Sequence, residues 1–247
     1  MKFFVKKRLP NGRRHIYLCG VKIASYKKRF DAGRLHQNVF LFNDHYEKQI
    51  FYKQQLPKNI FINGEGKNNT IRIHTNTNAR RIEFIFDKNT SNNVCILDTS
   101  GDTTGLDMSV IFLPGDGNEL TIGKNTVING AKIWIGDGNK LSIGDNCMLS
   151  YEIIIRATDG HTILDRSTNM LINHQKHPCV IGNNCWLGLR TIVNKNTQIA
   201  NNTIVASGTV LTKRFTEEYV IIAGNPGKII KTNVTFSPMT IYEFLNN

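Results

Sequence analysis

Six aliphatic residues, Ile181, Leu187, Val193, Ile199, Val205 and Leu211, recur at every sixth position without a slip. Four places after each of the first five stands a small residue: Cys185, Thr191, Thr197, Thr203 and Thr209. The position just past the aliphatic one is Gly182, Gly188, Asn194, Ala200 or Ala206. The frame also holds upstream at Ile122 with Thr126, and at Ile143 with Cys147, then Leu149 and Ile155. A period of six matches neither a 3.6-residue helix nor a plain two-residue alternation. It suits a coil of short flat strands and tight corners, with one aliphatic side chain per face pointing inward. Stacked coils pair each strand with those above and below at roughly 4.8 Å. The pattern predicts a parallel β-helix.

Looser repeats precede it. Gly64-Glu65-Gly66-Lys67-Asn68-Asn69, Gly115-Asp116-Gly117-Asn118 and Gly136-Asp137-Gly138-Asn139 each lead into a short β-favouring run. This is strong turn chemistry. Calcium loops would need further carboxylates that these turns lack. Strand-like runs at 60–62, 71–73, 82–86, 94–97 and 109–113 predict irregular early coils. Residues 30–55 carry apolar residues at mixed spacing, compatible with one or two helices. The expected division is a basic N-terminal segment (1–58), a β-helix (59–232) with a loop at 157–180, and a C-terminal tail (233–247).

Of the net charge of +12, +9 falls in residues 1–50, which hold 12 basic and 3 acidic side chains. A basic segment attracts polyanions such as nucleic acid, anionic headgroups or an acidic glycan. No nucleic-acid-binding motif accompanies the charge. Phe3, Phe4, Tyr17 and Tyr26 lie among the basic residues, which fits peripheral contact with an anionic inner membrane face better; the alternative is a solvated cationic appendage with no specific partner. No apolar run approaches the roughly 18 residues of a membrane span, and the N-terminus turns basic too soon for a secretory signal. Five cysteines without a CxxC pair suit free thiols in a reducing compartment. The expected location is the cytoplasm.

The stretch Ile181-Gly182-Asn183-Asn184-Cys185-Trp186-Leu187-Gly188 and its successors resemble the hexapeptide-repeat acyltransferases. So do Ala206-Ser207-Gly208-Thr209-Val210-Leu211-Thr212-Lys213 and Ala223-Gly224-Asn225-Pro226-Gly227-Lys228-Ile229-Ile230-Lys231. The resemblance covers roughly residues 115–232 and fades upstream. It implies a left-handed parallel β-helix, although crossovers in general favour the right hand. It also implies homotrimers with active sites in grooves between subunits, and acetyl-CoA as cosubstrate without a metal. The loop's opening, Asp159-Gly160-His161-Thr162-Ile163, looks most like O-acetyltransferases of bacterial surface polysaccharides, including sialic-acid polymers.

By this resemblance His161 is the catalytic base. Imidazole, with a pKa near 6.5, suits removal of a hydroxyl proton during attack on a thioester. Asp159, Asp165 or a backbone carbonyl would hold its tautomer. Trp186 would lie against the pantetheine arm and acyl group, with Gly188 and Ser207 offering close backbone approach. Thr212, Lys213, Lys228 and Lys231 match positions near the nucleotide phosphates. Gly227 stands where relatives commonly have alanine, and both lysines of the last pair where some have arginine. Asp137 and Arg156 are the candidates for the acceptor. His174-x-x-His177 lacks the spacing of zinc-dependent lyases of this fold. Cys179 or Cys185 could form an acyl-enzyme, but Cys185 and Cys147 hold the small inward place of their hexads, so direct transfer in a ternary complex is expected. The competing readings are N-acetylation of an amino-sugar nucleotide and a non-catalytic β-helix scaffold.

Overall fold

The computed structural model describes residues 4–8, 13–18, 21–27, 38–44, 47–50, 59–74, 79–98, 105–174 and 177–246. In the regular half, Val180 pairs with Gln198, Trp186 with Ile204 and Ile192 with Val210, all in parallel. The shift is the same each time, and at the corners it also joins Asn183 to Asn201, 18 residues apart. Three hexads therefore make one coil, and the coil has three faces.

The first face stacks Lys140–Ile143, Cys179–Ile181, Gln198–Ile199 and Arg214–Phe215. The second stacks Met148–Leu149, Trp186–Leu187, Ile204–Val205 and Val220–Ala223. The third stacks Ile153–Arg156, Ile192–Asn194 and Val210–Leu211. An antiparallel strand, Lys228–Thr232, closes the second face at the C-terminal end.

Inward positions follow the hexad. All six aliphatic residues are buried, and so are the small residues four places later. Each inward threonine must place a hydroxyl in the core, and each finds a carbonyl. Thr191 donates to Gly188 O at 2.8 Å, Thr197 to Leu211 O at 3.1 Å, Thr203 to Ala200 O at 2.8 Å and Thr209 to Ala206 O at 2.7 Å. A buried hydroxyl without an acceptor would cost about 1–3 kcal/mol. Small residues thus fit the narrow corner without stranding a polar group.

Upstream the coil widens. Glu119 pairs with Lys140, 21 residues on. One coil earlier, Asn93 and Asn118 meet across 25 residues. The extra length sits in corners and longer strands, which is why the hexad fades there. The wider interior is filled by larger side chains, with Phe86 stacked on Phe112 at 4.8 Å between centroids. A buried asparagine ladder lines one corner: Asn93 donates to Asn69 Oδ1 at 2.5 Å, and Asn118 donates to Asn93 Oδ1 at 2.7 Å.

The expectation of helix within 30–55 is corrected for its described residues, Asn38–Asp44 and Glu47–Ile50, which are strands; the rest of that stretch lies outside the described residues. The run Val39-Phe40-Leu41-Phe42 favours extended backbone, and its strand extends the first face by pairing in parallel with Asn69–His74. Further upstream, Phe4–Arg8, Arg13–Leu18 and Val21–Lys27 form an antiparallel sheet. Among the described residues the α-helix is Ile241–Asn246, and no helix is long and apolar enough to cross a membrane.

Because Leu187 is fully buried between stacked coils, Leu187→Ala should cost about 2–5 kcal/mol. Urea unfolding followed by far-UV circular dichroism measures the loss.

Candidate active site at the interrupted corner

After Ile153–Arg156 the chain should turn from the third face onto the first. Instead, Ile143 pairs with Ile181, the same long shift that joins Asp145 to Asn183 across 38 residues. More than a regular coil's length of additional chain is thus extruded at this corner. The extrusion folds back on itself. Ile172 N–H donates to Ile163 O at 2.9 Å, and Leu164 bridges Leu171. At its tip the Asp165 carboxylate accepts the Ser167 and Thr168 hydroxyls at 2.6 and 2.9 Å and both backbone N–H groups. The Ser167 hydroxyl, followed by these Thr168 bonds, holds the Asp165 carboxyl down at about 2. Asp165 is thus a turn former rather than the partner of an imidazole.

The base of the loop bounds a cavity of about 280 Å³, lined among others by Asp137, Thr158, Asp159, His161, His174 and Lys195. His161 is exposed at its rim. Thr158 donates its hydroxyl to Asp137 Oδ2 and accepts Gly160 N–H at 3.0 Å. Asp159 is ion-paired with Lys195 and accepts Asn173 Nδ2 at 2.7 Å. Burial pushes the Asp159 carboxyl up, but Lys195, Asn173 and Arg156 outweigh it and hold it below its ordinary value. Among the described residues the Asp159 carboxylate is engaged by Lys195 and Asn173, not by the imidazole of His161. Its connection to His161 runs through Asn173, which also donates to the His161 carbonyl at 2.9 Å.

Arg156 lies behind the cavity, with its guanidinium 5.4 Å from the Trp134 ring centroid and a 3.5 Å contact to the Asp159 carbonyl. His174 shares the cavity, whereas His177 lies apart, its backbone N–H on Asn196 Oδ1 at 3.1 Å.

The residues expected to hold the donor fall into two places. Trp186 projects from the second face, 41% exposed, beside Met148 and Ile204 in the same row. Phe236 of the tail tilts onto it at 5.9 Å between centroids. Gly188 and Ser207 share the corner after that face, and a Cβ on Gly188 would stand 2.6 Å from Ser207 N. Packing of successive coils therefore already requires glycine there. Lys228 and Lys231 are exposed on the closing strand of the same face. Thr212 and Lys213 instead follow the third face, at the corner from which the loop emerges. That corner lies opposite the second face, so a single chain does not bring His161 and Trp186 together.

Sequence reasoning missed Asn173, Lys195, Trp134 and Phe236. Lys195 had a usable signal, because it follows the third-face strand one coil beyond the loop. Asn173 had none, since its contacts depend on the loop's own folding.

The bacterial transferase hexapeptide (six repeats) family matches residues 178–213. The chain carries the hexapeptide-transferase repeat. The polysialic acid O-acetyltransferase of Escherichia coli O1:K1 / APEC is 27% identical over 121 residues, 49% of this chain and 39% of that protein. The chain thus aligns with well under half the length of that curated relative. Among solved structures, the polySia specific acetyltransferase NeuO superposes with a TM-score of 0.64 at 24% identity, covering 74% of this chain and 86% of that one. The polysialic acid O-acetyltransferase OatWY gives 0.61 at 26%, covering 85% and 96%. These likenesses give the chain the left-handed β-helix of hexapeptide proteins.

Four thiols, Cys95, Cys147, Cys179 and Cys185, are buried. Burial pushes Cys179 up to about 12 and Cys95 up as well, while a hydrogen bond with Cys147 and then burial raise Cys185. A brief N-ethylmaleimide pulse on native protein should leave all four unmodified by mass spectrometry, and modify them in urea. The Asp165 turn has a pH signature with a definite sign. A carboxyl lowered on folding stabilises the turn above its unfolded pKa of about 3.9, and that contribution disappears as pH falls through about 2. The Ser167 and Thr168 amide resonances should move with that midpoint.

Proposed function

We propose that this chain is an acetyl-CoA-dependent O-acetyltransferase acting on a hydroxyl of a bacterial cell-surface polysaccharide, with His161 as general base. The observation that carries the reading is an exposed imidazole at the rim of a polar cavity, on a loop extruded from a hexapeptide-repeat rod. A sugar hydroxyl loses its proton far above neutral pH, so it attacks a carbonyl poorly unless a base takes that proton as the bond forms. His161 accepts the proton from the acceptor oxygen and passes it to the departing sulfur. General-base catalysis of this kind is worth about 10²–10⁴ in rate.

Coenzyme A, when bound, supplies the acetyl group as a thioester. The row Met148, Trp186 and Ile204 offers an apolar track suited to a pantetheine arm, and Lys228 and Lys231 supply ammonium groups suited to phosphates. Gly188 and Ser207 border this track, and Thr212 and Lys213 lie at the other corner. Since track and imidazole are on opposite sides of one rod, the complete site needs the loop of one copy against the second face of another. A homotrimer meets that need. Burial of the four described thiols supports direct transfer in a ternary complex. Asp137 lines the acceptor cavity, and Arg156 adds positive charge behind it. An anionic acceptor agrees with this charge, with the basic N-terminal segment and with the polysialic acid specificity named for the relatives.

His161→Ala should lower thiol release from acetyl-CoA with a sialylated glycan by about 10²–10⁴. Donor binding by calorimetry and oligomer mass by light scattering should be unchanged; retained turnover would exclude His161 as the base. Trp186→Ala should weaken acetyl-CoA binding by about tenfold, the loss of roughly 1.4 kcal/mol of apolar contact.

A further inference from the structure

We infer that Asn173 and Lys195 are positioning residues for His161, locking the outgoing and returning arms of the loop to the rod; the inference rests on His161 being the base. The side-chain amide of Asn173 makes three bonds, and all three reach the segment around His161. Its Nδ2 donates to Asp159 Oδ2 at 2.7 Å and to the His161 carbonyl at 2.9 Å. Its Oδ1 accepts Ile163 N–H at 2.9 Å. One side chain on the returning arm thus grips His161 itself and the residues two places before and two places after it.

Lys195 ties this grip to the solenoid. Its Nζ donates to the Asn173 carbonyl at 2.9 Å and ion-pairs with Asp159. Lys195 directly follows Ile192–Asn194, whose backbone is hydrogen-bonded to Ile153–Arg156 just below the loop. Both arms are therefore fastened to a residue of the next coil. The two charges are only 22% and 32% exposed, against 68% and 60% for the surface pair Arg190–Glu152. Solvent screens the shielded pair less, so it holds geometry better than an exposed pair would.

The consequence is catalytic. A loop histidine at the rim of a cavity has no packing of its own to fix its reach, and a misplacement of about 1 Å can cost roughly 10² in rate. Bonds to the Asp159 carboxylate, the His161 carbonyl and Ile163 N–H supply the missing constraint without using the imidazole ring, which is left for proton transfer.

The test compares Asn173→Ala, Asn173→Asp, Lys195→Met and Lys195→Arg with the unchanged protein, using polysialic acid as acceptor. Asn173→Asp is nearly isosteric and keeps the acceptor for Ile163 N–H. It loses both donors, however, and sets a carboxylate against Asp159. Both Asn173 variants and Lys195→Met should lose about 10–10² in kcat, with KM for acetyl-CoA and Tm unchanged. Lys195→Arg, which keeps the cation, should retain most activity. A second readout needs no acceptor. In ¹H–¹³C spectra of the histidine rings, the His161 signal, assigned by its loss in His161→Ala, should broaden or shift in the first three variants while His177 stays in place. Unchanged kcat with an unchanged His161 signal overturns the inference, and so does a loss of Tm and donor affinity that parallels kcat. If no glycan elicits thiol release from the unchanged protein, the transferase reading fails, and the ring spectra still decide whether Asn173 and Lys195 position His161.

Discussion

The backbone hydrogen-bond ladder between coils, set to a register of three hexads, is the constraint on which the structure depends. Each short strand has few partners within its own coil, so its N–H and C=O groups are satisfied by the coils above and below. That satisfaction holds only if every coil returns after the same length of chain. The aliphatic position fills the interior while the small position four places later lets the chain turn, and its hydroxyl or thiol caps a carbonyl nearby. A residue inserted inside a strand would break both ladders and expose an aliphatic side chain. A residue inserted at a corner breaks neither.

This asymmetry explains where the loop sits. The additional chain leaves at the corner between the third and first faces, and the strands on both sides keep their register. Ile155 still stacks on Val193, and Ile143 on Ile181. The loop rises from a foundation that its own sequence does not alter, so polar side chains accumulate there at little cost to the core. Asp165 closes the tip, and the opposed Ile163–Leu164 and Leu171–Ile172 pairs fold the arms together. Asp159, Asn173 and Lys195 fasten the arms at the base. The Asp159–Lys195 pair spans from loop to rod, which turns a corner excursion into a defined wall of the cavity.

The division between what was legible in sequence and what was not follows the same line. The β-helix could be read because the ladder imposes one chemical demand at each sixth position, and Ile181 to Leu211 meet it without exception. It became hard to read upstream because the coil outgrows three hexads, allowing Phe86 and Phe112 to replace a simple aliphatic column. The N-terminal strand Asn38–Asp44 was obscured for a related reason: with no hexad, mixed apolar spacing fits either helix or strand, and only pairing with Asn69–His74 decides. His161 stood out because it lies where the period breaks. The connection of Asp159 to His161 was not visible, since it passes through Asn173, at the far end of an irregular loop, with Lys195, on another coil, tied to both Asp159 and Asn173.

Trp186 stands on the second face, away from the corner that carries the loop. On a three-sided rod, a corner and the face opposite it point in different directions, and no loop motion that preserves the Asp159–Lys195 tie carries His161 around to Trp186. Trp186 is 41% exposed and stands in one row with Met148 and Ile204, so the apolar surface there is shared rather than isolated. Phe236 covers part of the ring, and the rest stays open beside Met148 and Ile204. Copies of the rod set side by side, with the loop corner of one facing the second face of the next, would give the imidazole a thioester to act on and give the indole a partner. The separation of loop corner and second face within one chain is therefore what the proposed site between chains requires.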